Sequence, residues 1–159
     1  MDVFFWEILT RMGNRRGKRN CNINAKGGFA GIPRIVMDSQ DYQSLSFKAK
    51  ALLLELACQY KGANNGNLTV AFTILKRRGW KREATIWTAT QELLSVNLIV
   101  RTRQGQFLNP GGRCALYALT WQPIDECPGK ELETESSILP PRKFSLERFE
   151  LTKNPLLKK

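Results

Sequence analysis

The sequence predicts a mainly helical α+β fold: a winged helix-turn-helix of three helices and a two- or three-stranded wing sheet, with flexible N- and C-terminal extensions. Three observations lead there. Apolar residues recur at helical spacing in two long runs, 47–60 and 81–96, with a shorter run at 70–78 between them. Two strand-like runs, 98–103 and 114–121, follow and are joined by a Gly/Pro-rich loop, the pattern of a hairpin. The stretch holding this patterning, residues 46–122, carries 11 basic and 3 acidic side chains. The charge excess therefore belongs to the folded part and not to a solubility tail.

Each element has its own signals. Pro33-Arg34-Ile35-Val36-Met37 is a short apolar run expected to lie extended against the domain. Ser46 offers an N-cap for the first long helix, in which Leu52, Leu53, Leu56 and Tyr60 share a face and Gly62 ends the run. Asn64-Asn65-Gly66-Asn67 is a turn signal. Leu68-Thr69-Val70 fits either a short strand or a cap, Thr69, for the second helix, which Gly79 stops. The third helix buries Ile86, Ala89, Leu93 and Val96, and Asn97 suits the left-handed position after its end. Its opposite side shows Ala84, Trp87, Thr88, Gln91 and Ser95, nearly uncharged, where an ordinary solvated face carries Glu and Lys pairs.

Composition bounds the chemistry. The chain has 159 residues, 42% of them hydrophobic, enough for one packed domain without disulfides or metals. It contains no His, which removes the usual general base and the common zinc ligand, and with them Ser-His-Asp and Cys-His mechanisms. Cys21, Cys58, Cys114 and Cys127 show no Cys-x-x-Cys spacing, so no metal site is expected. Glu55, Glu83 and Glu92 are the only acids between residues 46 and 122, too scattered for a two-metal nuclease site. A non-enzyme without cofactors is expected. Asp2 stands where a signal peptide wants a cation, and no stretch approaches the roughly 20 apolar residues of a spanning helix. The expectation is a cytoplasmic, nucleoid-associated protein with no membrane partner.

A formal net charge of +11 points to a polyanion, nucleic acid first. From Ile8 to Met37 there is no acid, and glycines interleave with Arg11, Arg15, Arg16, Lys18, Arg19 and Lys26. Residues 1–27 thus read as a basic flexible arm, with Arg15, Arg16, Lys18 and Arg19 as nucleic-acid contacts or as a charged linker. Residues 28–126 form the domain. Residues 127–159, rich in Pro, Ser and Glu, read as a polar extension, partly disordered or docking.

In a winged helix-turn-helix the third helix enters the major groove with its N-terminal residues on base edges. Arg82 is then the guanine reader and Gln91 an adenine reader, while Thr88 meets a phosphate or a thymine methyl. Lys81, Ala84, Thr85 and Trp87 complete that surface. Lys76, Arg77 and Arg78 grip backbone phosphates, and Arg101, Arg103 and Arg113 flank the adjacent groove from the wing. Trp80 and Trp121 read as packing aromatics. The partner expected is double-stranded DNA. A homodimer is expected for a palindromic site, with residues 3–9 and the C-terminal segment as its candidate contacts.

Particular stretches carry a resemblance. They are Gly28-Phe29-Ala30, residues 32–39, residues 49–55, Asn64-Asn65-Gly66, Arg78-Gly79-Trp80, Glu92-Leu93-Leu94 and residues 117–121. Through these, residues 28–126 resemble a family of small winged-helix proteins encoded by bacterial prophages and other mobile elements. The pattern is also similar to the amino-terminal DNA-binding domain of phage replication initiator O proteins, through Arg34-Ile35-Val36 and the stretch from Thr85-Ile86 to Leu98-Ile99. The resemblance implies fold and DNA binding, hence a transcriptional regulator or replication-initiation accessory. Trp87 departs from it, since such domains often place a small or basic residue there. Two other readings stand beside it: a winged helix used for protein–protein contacts through Trp87 and residues 144–151, and RNA or single-strand binding through the arm.

Overall fold

The computed structural model describes residues 30–106 and 111–144. Among these, two one-turn helices, α1 (Arg34–Met37) and α2 (Gln40–Ser44), lead into the long helix α3 (Phe47–Gln59). A short helix α4 (Phe72–Leu75) runs on as a 3-10 turn over Lys76–Arg78, and a second long helix, α5 (Glu83–Ser95), follows. The chain then forms an antiparallel pair, β1 (Ile99–Arg103) and β2 (Leu116–Leu119). The molecule is mainly helical α+β.

The two long helices form where periodicity and caps agree. The Ser46 hydroxyl accepts from the Ala49 amide at 3.2 Å, and α3 buries Ala49, Leu52, Leu53, Leu56 and Ala57. Helix α5 buries Ile86, Ala89, Thr90 and Leu93. Its end is a Schellman arrangement: Leu98 N–H donates to Leu93 O, Asn97 N–H to Leu94 O, and Asn97 takes φ +52°. The end of the 3-10 turn repeats this, with Trp80 N–H on Leu75 O, Gly79 N–H on Lys76 O, and Gly79 at φ +98°. The helices meet at a polar clamp, where Ser46 donates its N–H and its hydroxyl to the Glu92 carboxylate at 2.6 and 2.7 Å.

Three expectations are corrected. Residues 34–37 are helical, not extended: burial of Val36 and the acceptance of the Val36 and Met37 amides by Pro33 O outweigh the β preference of Ile and Val. The second helix starts at Phe72 and not at Val70. Gln59 holds Thr69 by both backbone groups at 2.9 Å, which keeps the chain extended, while Thr69 Oγ1 accepts from Ala71 N–H. The first long helix stops one residue early, with Tyr60 as its extended cap residue. The sheet has two strands, to which Leu68 adds a single bridge against Tyr117. A bulge falls between Arg101 and Arg103.

One core joins all these elements. Val36, Leu45, Leu52, Leu53, Leu56, Leu68, Leu75, Ile86, Leu93, Leu98, Ile99, Leu119 and Phe144 are buried in one cluster. Phe144 brings the segment 123–144 into contact with it, and backbone bonds fasten the rest. Glu133 N–H donates to Thr102 O, Ser137 N–H to Ile124 O and Arg142 N–H to Thr120 O. The guanidinium of Arg142 bonds Val96 O at 2.8 Å, pairs with Asp41 and lies over the Phe144 ring. No described helix is long and apolar enough to cross a membrane.

Candidate nucleic-acid interface

The sequence places the N-terminus of α5 just after a turn, and that turn is fixed by Gly79. Lys81 and Arg82 follow it in extended backbone, both exposed, with Arg82 in the N-cap position and making no side-chain cap bond. Along the outer face of α5, Ala84, Trp87 and Thr88 are exposed and Gln91 is half-buried, with Trp87 65% exposed. Thr85 is half-buried and turned toward α3.

Lys76 and Arg77 are exposed and make no ion pair among the described residues. Arg78 differs. Its Nε donates to Glu55, and that carboxylate pushes the guanidinium pKa up, so the side chain stays charged but engaged. Of the other two acids in this stretch, Glu92 caps α3 and Glu83 sits in the first turn of α5, where a negative charge favours the helix.

An open groove of about 710 Å³ runs between α3 and the 78–82 turn. Phe47, Lys48, Ala51 and Glu55 form one wall; Arg78, Trp80, Arg82 and Thr85 form the other. Phe47, 89% exposed, and Lys48 were not read as site residues from the sequence. A signal existed: at 100° per residue Phe47 falls opposite the Leu52–Leu53–Leu56 stripe, so a bulky ring there cannot reach the core. Trp80 is half-buried and packs on the core cluster.

The wing cations sit elsewhere and are internally engaged. Arg101 donates to Gln104 Oε1 at 2.6 Å. Arg103 donates to Lys130 O at 2.6 Å and Cys114 O at 2.9 Å, and Arg113 pairs with Glu131. Arg103 and Arg113 hold the hairpin to residues 130–131. Arg15, Arg16, Lys18 and Arg19 lie outside the described residues, as do residues 3–9 and 145–151. No group of three or more His, Cys, Asp or Glu that could hold a metal occurs among the described residues.

The thiols give a check on this packing. Burial, and secondarily the Asp125 charge, pushes the Cys127 thiol up, and its Sγ lies 3.6 Å from Asp125 O. Cys58 and Cys114 are exposed. Iodoacetamide at pH 8 should modify the exposed Cys58 and Cys114 well before Cys127, read by peptide mass spectrometry. Equal rates at all three would mean that the 123–137 segment is open.

Comparison with protein-family models, with curated proteins and with solved structures finds no match.

Proposed function

We propose that the protein is a sequence-specific double-stranded DNA binder built as a winged helix-turn-helix, with α3, α4 and α5 as its three helices and the β1–β2 hairpin as its wing. The observation that carries this reading is the exposed ridge starting at Lys81 and Arg82 and continuing through Ala84, Trp87 and Thr88. Lys48 lines the same groove as Arg82, the exposed cations Lys76 and Arg77 precede the turn in the chain, and Glu83 is the only acid in the first turn of α5. A helix with that outer face can approach base edges, while the cations bind phosphate on either side. Binding of this kind suits a transcriptional regulator or a replication-initiation accessory acting at the nucleoid, without catalysis. Each of Glu55, Glu83 and Glu92 has a structural or helix-end role, which supports the non-enzymatic part.

Two substitutions separate reading from gripping. Arg82→Ala is expected to relax preference at one base pair, at about 1–3 kcal/mol. Arg77→Ala should weaken every sequence alike. Binding selections on random duplexes with both variants check this. Uniform losses in both would remove α5 as the reader.

A second reading is favoured by the same exposed aromatics: Trp87 and Phe47 also suit a protein partner. Capture of a protein that survives high salt, with no DNA retained, would favour it.

A further inference from the structure

Ala84, Trp87, Thr88 and Gln91 stand at i, i+3, i+4 and i+7 on α5, so they form a single row. The row is short of the groups that read guanine, since α5 contains no Lys or Arg. Its hydroxyl is also committed: Thr88 Oγ1 donates to Ala84 O at 3.0 Å, which leaves the Thr88 methyl as its free end. What the row offers a ligand is two methyl groups, one indole face that is 65% exposed, and one carboxamide at its half-buried end.

Base pairs differ in which of these they can use. In the major groove guanine presents two acceptors best met by Arg or Lys, which this row lacks. Thymine alone presents a methyl, met by Ala, by the Thr methyl or by an aromatic ring, and adenine presents the acceptor–donor pair that a carboxamide matches. Resting on the DNA-binding reading above, we infer that the α5 row is a thymine-methyl reader. Its ligand is a run of A·T pairs, with Trp87 as the principal methyl contact and guanine reading confined to Arg82 at the edge.

The test uses four duplexes of about two helical turns. One is alternating dA-dT, and the second is the same with deoxyuridine for thymidine, so only the methyl groups differ. The third is alternating dG-dC and the fourth carries 5-methylcytosine. Fluorescence anisotropy at one salt concentration should show the uridine duplex bound about four-fold more weakly for each methyl buried. The 5-methylcytosine duplex should bind more tightly than its parent. Trp87→Ala should shrink both methyl effects to less than about two-fold, whereas Arg77→Ala should lower all four affinities in parallel. Equal affinity for the thymine and uracil duplexes, with Trp87→Ala weakening all four alike, would overturn methyl reading and leave DNA binding standing. Failure to bind any duplex would remove the DNA reading and this inference together.

Discussion

Replacing Asn65 with alanine is expected to destabilise the protein by about 3–4 kcal/mol. Asn65 is fully buried. Its Nδ2 donates to Leu119 O, Gln122 O and Pro123 O at 2.7–3.1 Å, its Oδ1 accepts from Leu119 N–H at 2.7 Å, and its own amide bonds Asp125. Alanine keeps the last of these and strips the others. The Leu119 amide and the Gln122 and Pro123 carbonyls then lose the Asn65 side chain, Leu119 O keeps only its 3.4 Å bond from Gln122 N–H, and each buried group left unpaired costs about 1–3 kcal/mol. Aspartate is no remedy, because it sets a carboxylate against three carbonyl oxygens and has no donor to offer them. Thermal unfolding should show a fall in Tm of about 10–15 °C. A shift of a degree or two would mean that the end of β2 is not organised around this side chain.

Phe144→Ala is expected to cost about 3 kcal/mol. The ring is 5% exposed and belongs to the same cluster as Leu53 and Leu93, with Arg142 stacked on it. Truncation removes the transfer energy of the ring and leaves a cavity in the core cluster. It also loosens Arg142, whose guanidinium joins Val96 O to Asp41 and so ties the end of α5 to α2. Urea unfolding should show a lower midpoint with an unchanged slope, the sign of lost stability in a cooperative unit that includes residues 123–144. An unaltered midpoint would mean that these residues lie on the domain without supporting it.

Both predictions concern residues whose roles the linear sequence hides. Asn64-Asn65-Gly66 reads as a turn, and it is one. The side-chain partners of Asn65 lie 54–58 residues away, and nothing local distinguishes a turn asparagine in water from one buried under a strand. The 123–144 segment is rich in Pro, Glu and Ser because it is attached chiefly through backbone groups, such as Glu133 N–H and Ser137 N–H, and backbone attachment leaves little trace in composition. The long helices were legible for the opposite reason. In α3 and α5 the apolar period, the Ser46 cap and the stop at Asn97 agree with one another. Helices α1 and α2 are a single turn each, α1 held by the burial of Val36 and α2 by its Ser39 cap, whose hydroxyl accepts from Tyr42 N–H. No periodicity can announce an element that short.

The candidate interface divides in the same way. The outer face of α5 was readable because an uncharged solvent face is unusual, and the cations before it are consecutive in sequence. The engagement of the hairpin arginines was not readable, since Arg103 and Arg113 find Lys130 O and Glu131 only after the chain folds back. With Arg78 also paired, the exposed cations flanking the turn and the start of α5 that make no ion pair among the described residues are Lys48, Lys76, Arg77, Lys81 and Arg82. That number sets a quantitative expectation.

The most direct test is therefore a titration of the purified protein with duplex DNA at several salt concentrations. With Arg82 on a base edge, the other four as phosphate contacts should give a log K that falls against log salt with a slope of about −3 to −4, since each neutralised phosphate contributes about −0.9. A flat salt dependence, or binding that survives removal of Lys76, Arg77, Lys81 and Arg82 together, would contradict the account.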